Sequence, residues 1–136
     1  DIGCGTGILS ILAQMKGAKY VMATDYDQLC ELSFKENMKL NKLRGIDFYL
    51  GDVTKHQFLN NFYGKKFDFL LANINRNIIL NSINQFISLI KSNGTIITSG
   101  YHSIDIPIIK RAFQKHGYKM TESRKMNEWV ANRFDK

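Results

Sequence analysis

The sequence predicts an α/β fold: a doubly wound, mainly parallel sheet with helices on both faces and an antiparallel hairpin at its C-terminal edge. Three observations predict it. Stretches with apolar residues at helical spacing alternate with short apolar runs of strand length. A bare glycine turn, DIGCGTGIL (1–9), leads directly into the first helical pattern. The last two strand-like runs follow one another with no helix between them, as in a hairpin.

In chain order, residues 7–16 read as a helix whose apolar side carries Ile8, Leu9, Ile11, Leu12 and Met15, ended by Gly17. KYVMATD (19–25) is a short strand, and 27–42 a second helix with Asp27 at its start and Asn41 and Gly45 around its exit. IDFYL (46–50) is a strand running into Gly51-Asp52. FDFLLA (67–72) is apolar nearly throughout, as a strand covered on both faces should be. The spacing of Ile79, Ile83, Phe86, Ile87 and Ile90 predicts a helix over 76–91, stopped by Asn93-Gly94. TIITS (95–99) is another buried strand, and Ser103 is the expected N-cap of a helix over 104–116 with Gly117 beyond its end. YKMTES (118–123) and EWVANRF (128–134) complete the hairpin around Lys125-Met126-Asn127. Helices between successive strands require right-handed crossovers, hence mainly parallel pairing.

The 136 residues suit one domain, 1–136, with length enough for a real core. No apolar run approaches the roughly 20 residues of a membrane span, and the N-terminus lacks the pattern of a signal peptide. Cys4 and Cys30 match no metal or redox spacing and read as reduced thiols of a cytoplasmic protein. The net charge of +7 is spread over lysines along the whole chain, which serves solubility and marks no binding face. His56, His102 and His116 share no ligand spacing. Trp129 reads as a core residue, and Tyr26 as a packing residue or one lying along a ligand.

Ligands of such sheets bind at the carboxyl ends of the strands. Asp1 to Gly7, Asp25, Asp52 and Asn73 all fall there. Gly3, Gly5 and Gly7 let a ligand lie against the backbone, and the following helix offers an anionic group its positive end. A dinucleotide fingerprint G-x-G-x-x-G would need glycine where Ile8 stands. The spacing D-x-G-x-G-x-G is instead that of S-adenosylmethionine-dependent methyltransferases. Asp25 ends a strand twenty residues after Gly5, where a carboxylate can accept both ribose hydroxyls of an adenosine cofactor. Asp52 can accept the adenine amino group while Val53 packs on the ring.

DIGCGTGIL, ATDYD, the EN and LN of the second helix, LLANI, TSG (98–100) and NEWV (127–130) occur in the order seen in the ribosomal protein L-eleven methyltransferases. The chain resembles that family over nearly all its length. The resemblance implies a Rossmann-like catalytic domain, S-adenosylmethionine as cofactor, and methyl transfer to lysine or N-terminal amines of a large-subunit ribosomal protein, free or on the ribosome. It implies cofactor contacts from Gly3, Asp25 and Asn73, with Asn73 also facing the methyl acceptor. Nucleic-acid readout and a membrane partner are not expected, and the oligomeric state is left open.

Two other readings stand beside this one: a class I methyltransferase acting on a small molecule or RNA, and an inactive cofactor-binding fragment. Enzymes that methylate planar nitrogens carry an N-P-P-Y type loop, whereas this chain has Asn73-Ile74-Asn75-Arg76, which disfavours a clamped base. The family also has a threonine in a loop upstream of the glycine motif and a separate substrate-holding domain, neither present here. The expectation is therefore a C-terminal catalytic part lacking its first, central strand. Each unpaired buried backbone group costs about 1–3 kcal/mol against a net stability of about 5–15 kcal/mol, so the part alone is expected to be unstable or reorganised.

Overall fold

Gly7 shows how the first helix is made. It holds φ +84°, a conformation side chains rarely adopt, and a Cβ there would lie 2.3 Å from Cδ2 of Phe34. The backbone can therefore turn sharply into α1 (Ile8–Met15) while Phe34 packs directly beneath it. The computed structural model describes residues 1–136, which form two compact units, Asp1–Val53 and Thr54–Lys136.

In the first unit α1 is followed by β1 (Val21–Asp25), α2 (Gln28–Leu40) and β2 (Ile46–Leu50). The two strands pair in parallel from Val21↔Ile46 to Asp25↔Leu50. Asp27 caps α2 as expected, its side chain accepting the Leu29 amide at 2.9 Å. Cys4, Ile11, Val21, Ala23, Phe34, Met38 and Ile46 form the core, with Phe34 tilted on Phe48 at 5.2 Å. The first residues run beside the end of β1. Ile2 pairs with Thr24 in a parallel bridge, and the Thr24 amide donates to the Asp1 carbonyl at 2.9 Å.

The second unit holds β3 (Phe67–Asn73), α3 (Arg76–Leu89), β4 (Ile90–His102), α4 (Ile106–Gln114), β5 (Lys119–Met126) and β6 (Trp129–Asp135). Its sheet order is β3-β4-β6-β5, parallel between β3 and β4 and antiparallel in the hairpin and its join to β4. Ile79, Phe86, Ile96, Ile109, Phe113 and Phe134 are fully buried, and Phe113 stacks on Phe134 at 4.3 Å. The hairpin turns at Asn127, whose φ is +55°.

Several elements depart from the sequence expectation. The third helix ends at Leu89, because buried Ile90 takes extended dihedrals and pairs with Phe67. Asn93-Gly94 then lies in an excursion of β4, where Phe67↔Ile90 is followed by Phe69↔Thr95. A Cβ on Gly94 would sit 2.6 Å from Ile90 Cγ1 and 3.0 Å from the Asp68 carbonyl, so this excursion closes only around glycine. β3 is not covered on both faces: Leu70 and Ala72 are buried, but Phe69 is 62% exposed on a strand at the rim of its sheet. Ser103 caps no helix. Its amide and hydroxyl both donate to Glu128, and α4 starts at Ile106 with Pro107 supplying a first turn that needs one donor fewer. Trp129 is half exposed, meeting His102 edge-on at 4.4 Å, because β6 begins at the open end of the sheet. Tyr26 is 72% exposed and is no packing residue. A 3-10 helix, His56–Phe62, was not foreseen; it buries Phe58 against Phe62.

Candidate functional site

The glycine turn of the first unit is tied down by main-chain bonds and two carboxylates. Gly3 and Cys4 donate to the Thr24 carbonyl at 2.8 and 2.9 Å, and Gly7 donates to the Cys4 carbonyl at 2.8 Å. The Gly5 amide donates to Oδ2 of Asp25 at 2.8 Å, while Oδ1 of the same carboxylate accepts the Asp27 amide at 3.1 Å. The Asp25 carbonyl accepts the Gly51 amide at 2.7 Å, linking β1 to the turn that carries Asp52. Asp25 thus joins three of the expected segments of the site. It is buried at 7% exposure and also bonds the Cys30 side chain, so three of its roughly four lone-pair sites are in use.

Asp1 has a role the sequence did not reveal. Its Oδ2 accepts both the amide of Ser10, at 3.0 Å, and the Ser10 hydroxyl, at 2.6 Å. Ser10 is the third residue of α1, whose N-cap Gly7 has no side chain to offer, so Asp1 supplies the capping acceptor. A negative charge at this helix start is also favoured by the helix dipole. The signal was available: an acid and a hydroxyl bracket the glycine run in DIGCGTGILS. Asn37 on α2 adds a further tie, donating to the Thr6 carbonyl at 3.0 Å.

Asp1, Gly3, Gly5, Gly7, Asp25, Asp52 and Val53 all belong to the first unit. Asp52 is half-buried beyond the end of β2, and Val53 is 7% exposed, leaving Asp52 the more accessible of the two. Gly5 holds φ +53° with open space where a side chain would stand. Cys4 lies in the core, where burial pushes its thiol up to about 12, beyond thiolate chemistry at neutral pH.

Asn73 belongs to the second unit, at the exposed end of β3 opposite Ser99 of β4. The loop after it is held at each residue. Ile74 donates to the Ser99 carbonyl at 3.0 Å, and the Asn75 side chain caps α3 through the Ile78 amide at 3.1 Å. Arg76 pairs with Asp105 at 2.8 Å, fastening the start of α3 to the turn before α4. Asn73 is therefore an exposed amide on a loop with little freedom.

Comparisons with known proteins place this chain. The family model described as ribosomal protein L11 methyltransferase (PrmA) matches residues 1–136. The ribosomal protein L11 methyltransferase of Porphyromonas gingivalis is 41% identical over 134 residues, covering 98% of this chain and 44% of that protein. The crystal structure of ribosomal protein L11 methylase from Lactobacillus delbrueckii subsp. bulgaricus superposes with a TM-score of 0.91 at 29% identity, covering all of this chain and 67% of that one. A protein solved in complex with SAH shares the fold, with a TM-score of 0.83 at 15% identity over 99% of this chain and 44% of that one. These likenesses bear out the Rossmann-like α/β class. The chain spans about half the length of the curated relatives it matches, at 44% and 46% for two of them. The chain belongs to the ribosomal protein L11 methyltransferase family.

Proposed function

We propose that residues 1–136 are the S-adenosylmethionine-dependent catalytic domain of a longer enzyme that methylates amino groups of a large-subunit ribosomal protein. The observation that carries this reading is the Asp25 carboxylate bound to the Gly5 amide, inside a turn with the methyltransferase spacing of glycines. The named activity of the relatives and the SAH bound by one neighbour of the same fold support it. That the relatives are about twice as long supports a further domain, and the pairing of Ile2 with Thr24 supports a strand lying parallel to β1.

The residues present fit the cofactor. Gly5 leaves open space against a bare backbone, and Asp25 keeps a lone-pair site for a ribose hydroxyl. Asp52 stands ready for the adenine amino group, backed by Val53, while Asp1 and Gly3 hold the turn and Gly7 opens α1. Bound there, S-adenosylmethionine supplies a methyl group on a sulfonium, electrophilic without further activation. The protein's work is then alignment, which can supply up to about 7–11 kcal/mol of the barrier.

The acceptor amine must arrive neutral. A lysine amine has a reference pKa of about 10.4 and an α-amine one of about 7.7–8.0, so turnover rises with pH toward these values. Asn73, an acceptor through its amide oxygen, orients the neutral amine without taking its proton, and contacts the cofactor as well. The enzyme works in the cytoplasm, with Cys4 and Cys30 as free thiols. Calorimetry on the full-length enzyme tests the cofactor assignment. Tight binding of S-adenosylhomocysteine with no response to NAD is expected; the reverse overturns it.

A further inference from the structure

We propose that Gly100 is a positioning residue for the methyl acceptor, acting through Asn73; this rests on the role given to Asn73 above. Gly100 lies in β4 between Ser99, which pairs with Asn73, and Tyr101, and holds φ +87°. A methyl group on it would stand 2.8 Å from both the nitrogen and the oxygen of Ile74 and 2.9 Å from Oδ1 of Asn73. Two of those three atoms are main chain, and the Ile74 amide is already fixed to the Ser99 carbonyl at 3.0 Å. Those two main-chain atoms cannot swing aside. Any side chain at position 100 must move the 73–74 peptide, and Asn73 with it.

The conformation of Gly100 is itself held from below. The pairing of β4 with β6 shifts between Ser99 and Tyr101, so the strand bulges at Gly100. The Tyr101 hydroxyl bonds Thr98 at 2.7 Å and accepts from the Asn132 amide at 2.7 Å. Thr98, Tyr101 and Asn132 are buried at 0%, 3% and 1% exposure. The bonds that the Tyr101 hydroxyl makes in this setting are costly to lose, since a buried polar group left unpaired loses its compensation for desolvation. The three side chains clamp the bulge, the bulge sets Gly100, and Gly100 leaves the loop after β3 its one resting place.

The test uses the full-length enzyme with Gly100→Ala, Asn73→Ala and the double variant. Gly100→Ala is expected to lower kcat about ten- to a hundred-fold, the scale of a misplaced reactive group, with cofactor affinity changed no more than in Asn73→Ala. In the Asn73→Ala background the same substitution should add little, because residues acting as a unit are not additive. Additive losses would make Gly100 merely structural and overturn the proposal. Should Gly100→Ala not fold, Tyr101→Phe loosens the same bulge without adding an atom, and must lower kcat in the same direction; unchanged kcat overturns the proposal. The side-chain amide resonance of Asn73 gives a readout independent of activity. It must shift in the folded Gly100→Ala protein, and a resonance that stays in place overturns the proposal even if the wild type methylates nothing.

Discussion

The Asp25 carboxylate receives the Gly5 amide at 2.8 Å, across twenty residues of sequence. The carboxylate thereby shapes the glycine turn, and under the proposed function loop geometry and cofactor affinity rest on the same side chain.

Asp25→Ala removes both. Loss of charge-assisted hydrogen bonds worth about 1.5–3 kcal/mol predicts a ten- to hundred-fold weaker binding of S-adenosylhomocysteine. Asp25→Asn keeps one acceptor oxygen and should fall between the wild type and the alanine variant. Calorimetry reads both. Equal affinity in all three proteins would remove Asp25 from the cofactor site.

Gly7→Ala should destabilise the protein. A side chain in the left-handed region costs about 1–2 kcal/mol. Forcing a methyl into the Phe34 ring, 2.3 Å away, adds about 1–3 kcal/mol of overpacking. Urea unfolding of the full-length protein should show the loss, and Phe34→Leu should recover part of it. A variant as stable as the wild type would mean that α1 does not start on Gly7 as described.

Asn73→Ala should act on turnover more than on affinity, because under the proposed function its amide serves the acceptor when the methyl group moves. A drop in kcat of about ten- to a thousand-fold is the range for a lost orienting contact. Steady-state methylation with saturating cofactor measures it. Full kcat would refute the assignment.

Asp135 predicts a pH dependence at the hairpin. Hydrogen bonds from Arg133, Thr121 and Thr95 hold its carboxyl down at about 2. Its folded-state pKa lies below the ordinary carboxylate value of about 3.9, so its stabilising contribution is complete above that value and is lost as pH falls toward 2. The stability difference between wild type and Asp135→Asn should therefore be constant near neutrality and shrink from about pH 4 downward. A gap that widens in acid would reverse the assigned sign.

The sequence disclosed most of the first unit. Its strand at 46–50, the Asp27 cap and the glycine turn each rest on local chemistry, and local chemistry decided them. It failed where one pattern serves two periods: Ile87 and Ile90 suit a helix face, yet Ile90 is the first residue of a strand that pairs with Phe67. Ser103 resembled a cap because its hydroxyl can serve an amide, but a carboxylate 25 residues away claimed it. At the candidate site, the sequence singled out Asp25 and Asn73, while the contacts that hold the segments around them were not legible in it. The Asp1–Ser10 brace left only the trace of an acid and a hydroxyl bracketing the glycine run, and the Gly100 contact joins residues distant in sequence, of which composition and spacing carry no sign.

The most direct test is to incubate the full-length enzyme with S-adenosylmethionine and the isolated proteins of the large ribosomal subunit, then read every intact mass. The account predicts that one ribosomal protein gains whole methyl groups, on lysine or N-terminal amines, faster as pH rises, and that Asn73→Ala slows the gain. No methylated protein, or methyl groups found on ribosomal RNA instead, would contradict it.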